Sequence, residues 1–271
     1  MPETGQQLTR TNTEGTRRQS ASADLSSEVY RLLAEDHPTQ DQFRTLLERV
    51  SAGVLAKRFL HTGLPYVFKG QPHKYLAFRE AVGRIFAVAP QDIAVMGSAR
   101  FGFSTNPGNY SSGKAKALDQ DSDMDMVIVC RASFQSALGS FADYVWLQLR
   151  NIKDLTSEPS NDKEETKLNK NTLIAFRRRS KGFNFGYVNP ADLQDSTPEK
   201  QRFYDMKREA GTQLFGTAPP GPIHRVGAWI YRDWDAAERM YEFSFRQLAK
   251  AWGVDMTEDS GMPGDLDQAQ E

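Results

Sequence analysis

Two aspartates, Asp123 and Asp125, stand two positions apart at the mouth of the apolar run MDMVIVC. A β-strand sends residues two apart to the same side, so both carboxylates project together, with roughly 6.5 to 7 Å between their Cα atoms. Met124 and Met126 then face the other way, into a core. Paired acids at that spacing repel each other unless a cation lies between them. Their oxygens suit a hard divalent ion, Mg²⁺ or Mn²⁺. Upstream, the apolar run Ile93 to Met96 stops at Gly97-Ser98. A glycine at a strand end lets a phosphate approach the backbone, and the Ser98 hydroxyl adds a donor. A helical turn begun at residues 98 to 103 would point its free N–H groups at the same anion. The pattern therefore joins a cation site to a phosphate site on adjacent strands. Two bound dications can hold a triphosphate and lower the pKa of an attacking hydroxyl.

An isolated Asp-x-Asp more often belongs to a loop or a helix cap, so its setting decides. In the metal-binding Asp-x-Asp sites of glycosyltransferases and haloacid-dehalogenase-type phosphatases the apolar strand precedes the acids. Here the acids open the strand, after a polar loop. The flanking elements are legible from their periods. Thr39 to Gln42 fits a capping box, and Phe43, Leu46, Leu47, Val50 and Val54 follow at helical spacing. Gly63, Pro65, Gly70 and Pro72 break that pattern. A second helix is predicted over 73–88, with Leu76, Ala77, Val82, Ile85 and Phe86 on its apolar side and Pro90 closing it. Residues 92–96 are too short for a helix and apolar on both faces, as a central strand should be. The segment FGFSTNPGNYSSGKAKALDQ reads as a loop. After the Asp-x-Asp strand, Phe134, Leu138, Phe141, Val145, Leu149 and Ile152 mark an amphipathic helix.

Residues 153–171 read as a polar surface excursion or the start of a further helix. GFNFGYVNP is an aromatic-rich turn or a short strand, and HRVGAWIYRD a late strand. Ala237, Tyr241, Phe245, Leu248 and Trp252 mark a last helix. The order of elements implies an α/β (α+β) domain with a mixed central sheet flanked by helices.

The chain has 271 residues, 39% apolar and 25% charged, with a net charge of −1. That length buries a real core. The balanced charge argues neither for nor against a nucleic-acid partner. Residues 1–25 read as a disordered arm and 255–271 as an acidic disordered tail, leaving 26–254 as the folded unit. No run approaches the roughly 20 apolar residues that span a bilayer, and no secretory signal pattern opens the chain. The one cysteine, Cys130, cannot form an intramolecular disulfide and fits a reducing cytoplasm. Arg177 to Lys181, with Lys163, Lys167 and Lys170, could track a phosphate backbone, but a solvated helix face is the simpler reading. Phe183, Phe185 and Tyr187 read as core aromatics rather than base-stacking groups, and Trp229, Tyr231 and Trp234 as packing beside the cleft. Nothing marks His61, His73 or His224 as a ligand or a base.

Val95-Met96-Gly97-Ser98, followed by Ser122-Asp123-Met124-Asp125-Met126, resembles the signature of the DNA polymerase β-like nucleotidyltransferase superfamily. The resemblance covers residues 73–152. More loosely, GSARFGFS with WIYRDWDAAERMY is similar to a group of bacterial and phage-encoded nucleotidyltransferase-like proteins. The resemblance implies a polymerase β-like fold and an enzyme that moves a nucleoside monophosphate from an NTP such as ATP to an acceptor hydroxyl. The acceptor would be a small molecule, an RNA or a protein, pyrophosphate would leave, and the setting would be a toxin or antiphage system. Asp123 and Asp125 would be the catalytic metal ligands, and Gly97 and Ser98 would bind the nucleotide phosphates. Two departures stand beside it. The spacer from Ser98 to Asp123 is long and carries Lys114 and Lys116. The third carboxylate of polymerising members has no clear match, Asp192, Asp233 and Asp235 being the available acids. Two other readings remain: a synthase of cyclic or oligonucleotide signals, and a catalytically silent binding partner or antitoxin. The synthase expects a Gly-Thr after the Gly-Ser, where this chain has Gly102-Phe103-Ser104.

Overall fold

A computed structural model of the chain describes residues 27–111, 114–119, 122–155, 177, 179–215 and 223–256. The arm at 1–25, tail residues 257–271, Arg178 and segment 156–176, with Lys163, Lys167 and Lys170, lie outside the described residues.

The sheet has four strands in the order β1-β4-β6-β5. They are β1 (Ile93–Met96), β4 (Ser122–Val129), β5 (Tyr187–Val188) and β6 (Ile223–Tyr231). β4 runs antiparallel to β1 and parallel to β6, and β5 closes the far edge antiparallel to β6. The sheet is therefore mixed, and β4 is covered on both sides. A parallel neighbour needs a long crossover, here the chain between β4 and β6. Two short strands, β2 (Tyr110–Ser111) and β3 (Lys114–Ala115), pair antiparallel inside the segment read as a loop.

Period-two alternation along β4 divides its side chains between two cores. Met124, Met126 and Ile128 join Phe78, Phe86, Phe134 and Met206 on one face. Those partners come from α4 (Pro72–Phe86), α6 (Arg131–Leu155) and α8 (Pro198–Phe215). Val127 joins Met96 of β1 on the other, with Phe43, Phe59 and Phe245 from α2 (Gln40–Arg49), α3 (Ala52–His61) and α9 (Trp234–Ala251). Helices thus cover both faces, as the sequence pattern implied for an α/β domain. Three more short α-helices lie among the described residues: α1 at 27–34, α5 (Ser98–Phe101) and α7 at 179–185.

The capping box forms as read: Thr39 Oγ1 accepts from the Gln42 amide at 3.3 Å, and Gln42 Oε1 accepts from the Thr39 amide at 2.8 Å. The helix it starts does not run through to Val54. Val50 adopts an extended conformation and Ser51 caps a new helix, α3, through the Val54 amide. Val54 is consequently on the surface. Helix α4 buries Phe78, Ala81, Val82 and Phe86, while Leu76 and Ala77 are exposed. Val82 and Phe86 are buried as read, and the misreading is confined to the first turns, where Phe78 and not Leu76 or Ala77 faces inward. α8 was not anticipated, because its charged repeat PEKQRFYDMKREAG hides an apolar contact carried by Phe203 and Met206. In α6 Phe134 is buried, but Leu138 is exposed. Phe183 packs on Phe134 and Phe141 at ring-centroid distances of 5.6 and 5.1 Å, so it is a core aromatic as read.

One buried charge ties the helix after β1 to the outer layer. Arg100 on α5 is 1% exposed. Its Nε donates to the Phe59 carbonyl at 3.2 Å. Nη1 donates to the carbonyls of Asp36 (3.0 Å) and Leu64 (2.7 Å), and Nη2 to that of Thr62 at 3.0 Å. A planar fork of donors fits this ring of carbonyls as an ammonium cannot. Desolvation, with the nearby Arg58 charge, pulls the guanidinium down to about 10, so it stays cationic at neutral pH. Burial acts to raise Asp36, but the Leu64 amide, the Arg58 hydrogen bond and the charge of Arg100 outweigh it and keep the carboxyl low. Truncation would strand several buried carbonyls. R100A is expected to lose on the order of 3 kcal/mol of stability, read by urea unfolding, with R100K recovering less than half.

Candidate functional site

The antiparallel pairing of β1 with β4 brings the two sequence fragments together. Met96 lies opposite Asp125, so the chain leaves β1 at Gly97 directly beside the Asp125 carboxylate. Gly97 has φ +65° and ψ −151°, a region open essentially to glycine alone. A Cβ there would lie 2.6 Å from Asp125 Oδ2. On the other side β6 places Gly227 in register with Asp125, and a Cβ at Gly227 would lie 3.2 Å from Asp125 Oδ1. The carboxylate is thus seated between two bare stretches of backbone. The lone glycine inside the apolar strand VGAWIY is the kind of sequence signal that marks such close approach.

Asp123 lies two residues nearer the strand mouth and is exposed, while Asp125 is half-buried. Ser98 Oγ donates to the Asp123 backbone carbonyl at 3.4 Å and ties the α5 turn to β4. All four residues singled out from the sequence, Gly97, Ser98, Asp123 and Asp125, line one polar cavity of about 200 Å³. Its remaining wall is Ser104, Thr105, Asn106, Asn109, Lys116 and Ser122. Apart from Lys116, noted as part of the long spacer, and Ser122, noted in the Ser-Asp-x-Asp signature, sequence reasoning missed this wall. It forms because the spacer folds back on itself. The Ser104 amide donates to the Lys116 carbonyl at 2.8 Å, and the Lys116 amide to the Asn109 carbonyl at 3.1 Å. Asn109 Nδ2 then reaches Ser104 Oγ at 3.0 Å. Gln40 on α2 clamps the Ala115 backbone from both sides, donating to its carbonyl at 3.0 Å and accepting from its amide at 3.1 Å.

The acids considered as a third carboxylate do not line this cavity. Asp192 ends the 3₁₀ turn Pro190–Asp192. Asp233 caps α9, accepting from the Ala236 amide at 2.8 Å and from Arg232 Nε at 2.7 Å. Asp235 lines a separate groove with Gly53 and Lys57. Among the described residues no group of three His, Cys, Asp or Glu side chains comes together. His61 contacts Glu238 at 2.7 Å, away from the paired acids. Trp229 and Tyr231 pack against Tyr187 with centroids 5.4 and 6.0 Å apart, as expected of packing residues. Cys130 is buried and free. Among the described residues no helix is long and apolar enough to cross a membrane.

Electrostatics gives the site its character. Burial and the neighbouring charge of Asp123 push the Asp125 carboxyl up to about 6. Its uncharged seat and its like-charged neighbour both disfavour the anion, and both penalties shrink when a dication supplies opposite charge. The two carboxylates therefore fit a hard divalent ion whose remaining ligands are water or substrate oxygen. Comparison of the chain with known protein families, with curated proteins and with solved structures finds no match.

The raised Asp125 value links folding to pH. An acid whose folded pKa lies above its ordinary value of 3.8 binds more protons folded than unfolded between 3.8 and about 6. Stability therefore falls as pH rises through that window and stays lower above it. The full effect is on the order of 3 kcal/mol. In metal-free buffer with chelator, D125N is expected to melt higher than the wild type at pH 7.5. The gap should close toward pH 4, as followed by thermal unfolding across the range.

Proposed function

We propose that the chain is a Mg²⁺-dependent nucleotidyltransferase with a polymerase β-like core. The observation that carries the reading is the seating of Asp125 against Gly97, which puts a pair of acids and a glycine-serine turn on one cavity. Asp123 and Asp125 would hold the divalent ion, Mg²⁺ or Mn²⁺. That ion would supply the positive charge that offsets the phosphates and makes an acceptor hydroxyl more acidic. Gly97, whose missing side chain seats Asp125, would present its backbone to a phosphate in the cavity, and Ser98 would offer that phosphate a hydroxyl. The acceptor oxygen would bond to the α-phosphorus as the bond from that phosphorus to the bridging oxygen breaks. Pyrophosphate would leave, and the acceptor's proton would pass to solvent. The residues contribute mainly by positioning the partners in line and by charge.

The acceptor would be a small molecule, an RNA end or a protein hydroxyl, in a toxin or antiphage setting. Gly227, in register beside Asp125, gives a synthase of cyclic or oligonucleotide signals less support than single transfer, because that reading expects a further acid. The paired acids and their glycine seat weigh against a silent binding partner, for which an unneutralised acid pair is a burden without a use.

Incubation with each labelled NTP and Mg²⁺, separating free product, labelled RNA and labelled protein, tests the reading and identifies the acceptor. D123A and D125A are each expected to lower transfer by at least about 100-fold while keeping the wild-type circular dichroism spectrum. Transfer at the wild-type rate in both variants would refute the assignment.

A further inference from the structure

Lys116 is the one cationic side chain among the described residues lining the cavity. Its backbone is fixed at both ends, the amide on Asn109 and the carbonyl under the Ser104 amide. The residue before it is clamped by Gln40. The side chain thus starts from a rigid platform beside the paired acids. Its ammonium is paired with Asp119 Oδ2 at 3.0 Å, and the two side chains are 46% and 40% exposed. An exposed pair of this kind holds weakly and is readily exchanged. Asp119 has a second role: its Oδ1 accepts from Ser122 Oγ at 2.8 Å, and its amide donates back to that oxygen at 3.0 Å. Asp119 is therefore held in place by the residue next to Asp123, whether or not Lys116 stays with it.

We propose that Lys116 binds the polyphosphate tail of the nucleotide, leaving Asp119 for phosphate oxygen when substrate enters. The inference rests on the nucleotide reading above and adds the group that takes the phosphates at the spacer side of the cavity. Phosphate carries more charge and more acceptor oxygens than one carboxylate, and a lysine meets it as a mobile point charge. The lysine would bind the tail rather than the base or the sugar. Its contribution should therefore be equal for a nucleotide and for a bare polyphosphate.

Isothermal titration in Mg²⁺, with ATP and inorganic tripolyphosphate as separate probes, tests this on the full chain. K116A is expected to weaken both probes by roughly tenfold, and K116R to restore most of the loss. D119N keeps an oxygen for Ser122 but removes the competing charge, and it should tighten both probes several-fold. In the transfer assay K116A should raise KM more than it lowers kcat. Wild-type affinity of K116A for either probe, or an unchanged D119N, overturns the Lys116 assignment. If D123N loses binding in the same series, the nucleotide reading survives that failure. A wild-type protein that binds neither probe with Mg²⁺ overturns both.

Discussion

The site turns on one unfavourable contact, a carboxylate held against backbone with a second carboxylate two residues away. Asp125 has a glycine on each flank, Gly97 from β1 and Gly227 from β6. Neither strand offers it a side-chain partner at those positions. A folded chain usually relieves such a group by hydrogen bonding or by an adjacent cation. Here the relief is a proton, which is why the carboxyl is raised to about 6, or an ion brought from outside. The same contact therefore costs the fold stability and, on the proposed reading, would favour binding of a dication.

That contact survives because the elements around it are anchored elsewhere. β4 is paired on both sides and buries Met124 and Met126 completely, so the strand cannot shift to let its acids swing apart without exposing a core. A one-residue slip would turn every side chain over. Behind Gly97, α5 is only one turn long and would not persist alone. Arg100 holds it by donating to carbonyls contributed from α3 and the loops beside it. The buried guanidinium thus fixes the glycine turn from one side while the β1–β4 ladder fixes it from the other.

Local periodicity and short-range chemistry carried much of this in the sequence. The capping box at Thr39, the alternation through Asp123 to Met126 and the glycine-serine strand end each depend on neighbours a few residues away, and each formed as read. What was misread depended on distant partners. The continuous helical spacing from Phe43 to Val54 gave no warning of the break at Ser51, because the spacing of apolar residues survives a change of helix axis. α4 turns Phe78 rather than Leu76 inward because the sheet and α8 lie on that side. The Asn106, Asn109 and Ser104 wall of the cavity owes its place to backbone pairing between 102–104 and 116–118, which no local signal in a Gly, Ser and Asn-rich segment announces. Gly227 was written in plain sight, but its meaning required knowing that β6 lies beside β4.

The long spacer between Ser98 and Asp123 then looks less like an interruption than like the missing half of the site. Its hairpin folds over the strand mouth, is clipped to α2 by Gln40, and brings one lysine and several small polar groups to face the acids. The cavity consequently has a negative floor and a wall of amides, hydroxyls and one ammonium. On the proposed reading a dication would satisfy the floor and a phosphate chain the wall, and neither ligand alone would satisfy both. A polyphosphate entering without a dication meets Asp123 and Asp125 as like charges. A dication entering alone leaves the hydroxyl and ammonium donors to water. A ligand that would answer both surfaces at once is a metal-bound polyphosphate, with its charge spread between the two sides of the cleft, and this is why the proposed reading joins the two.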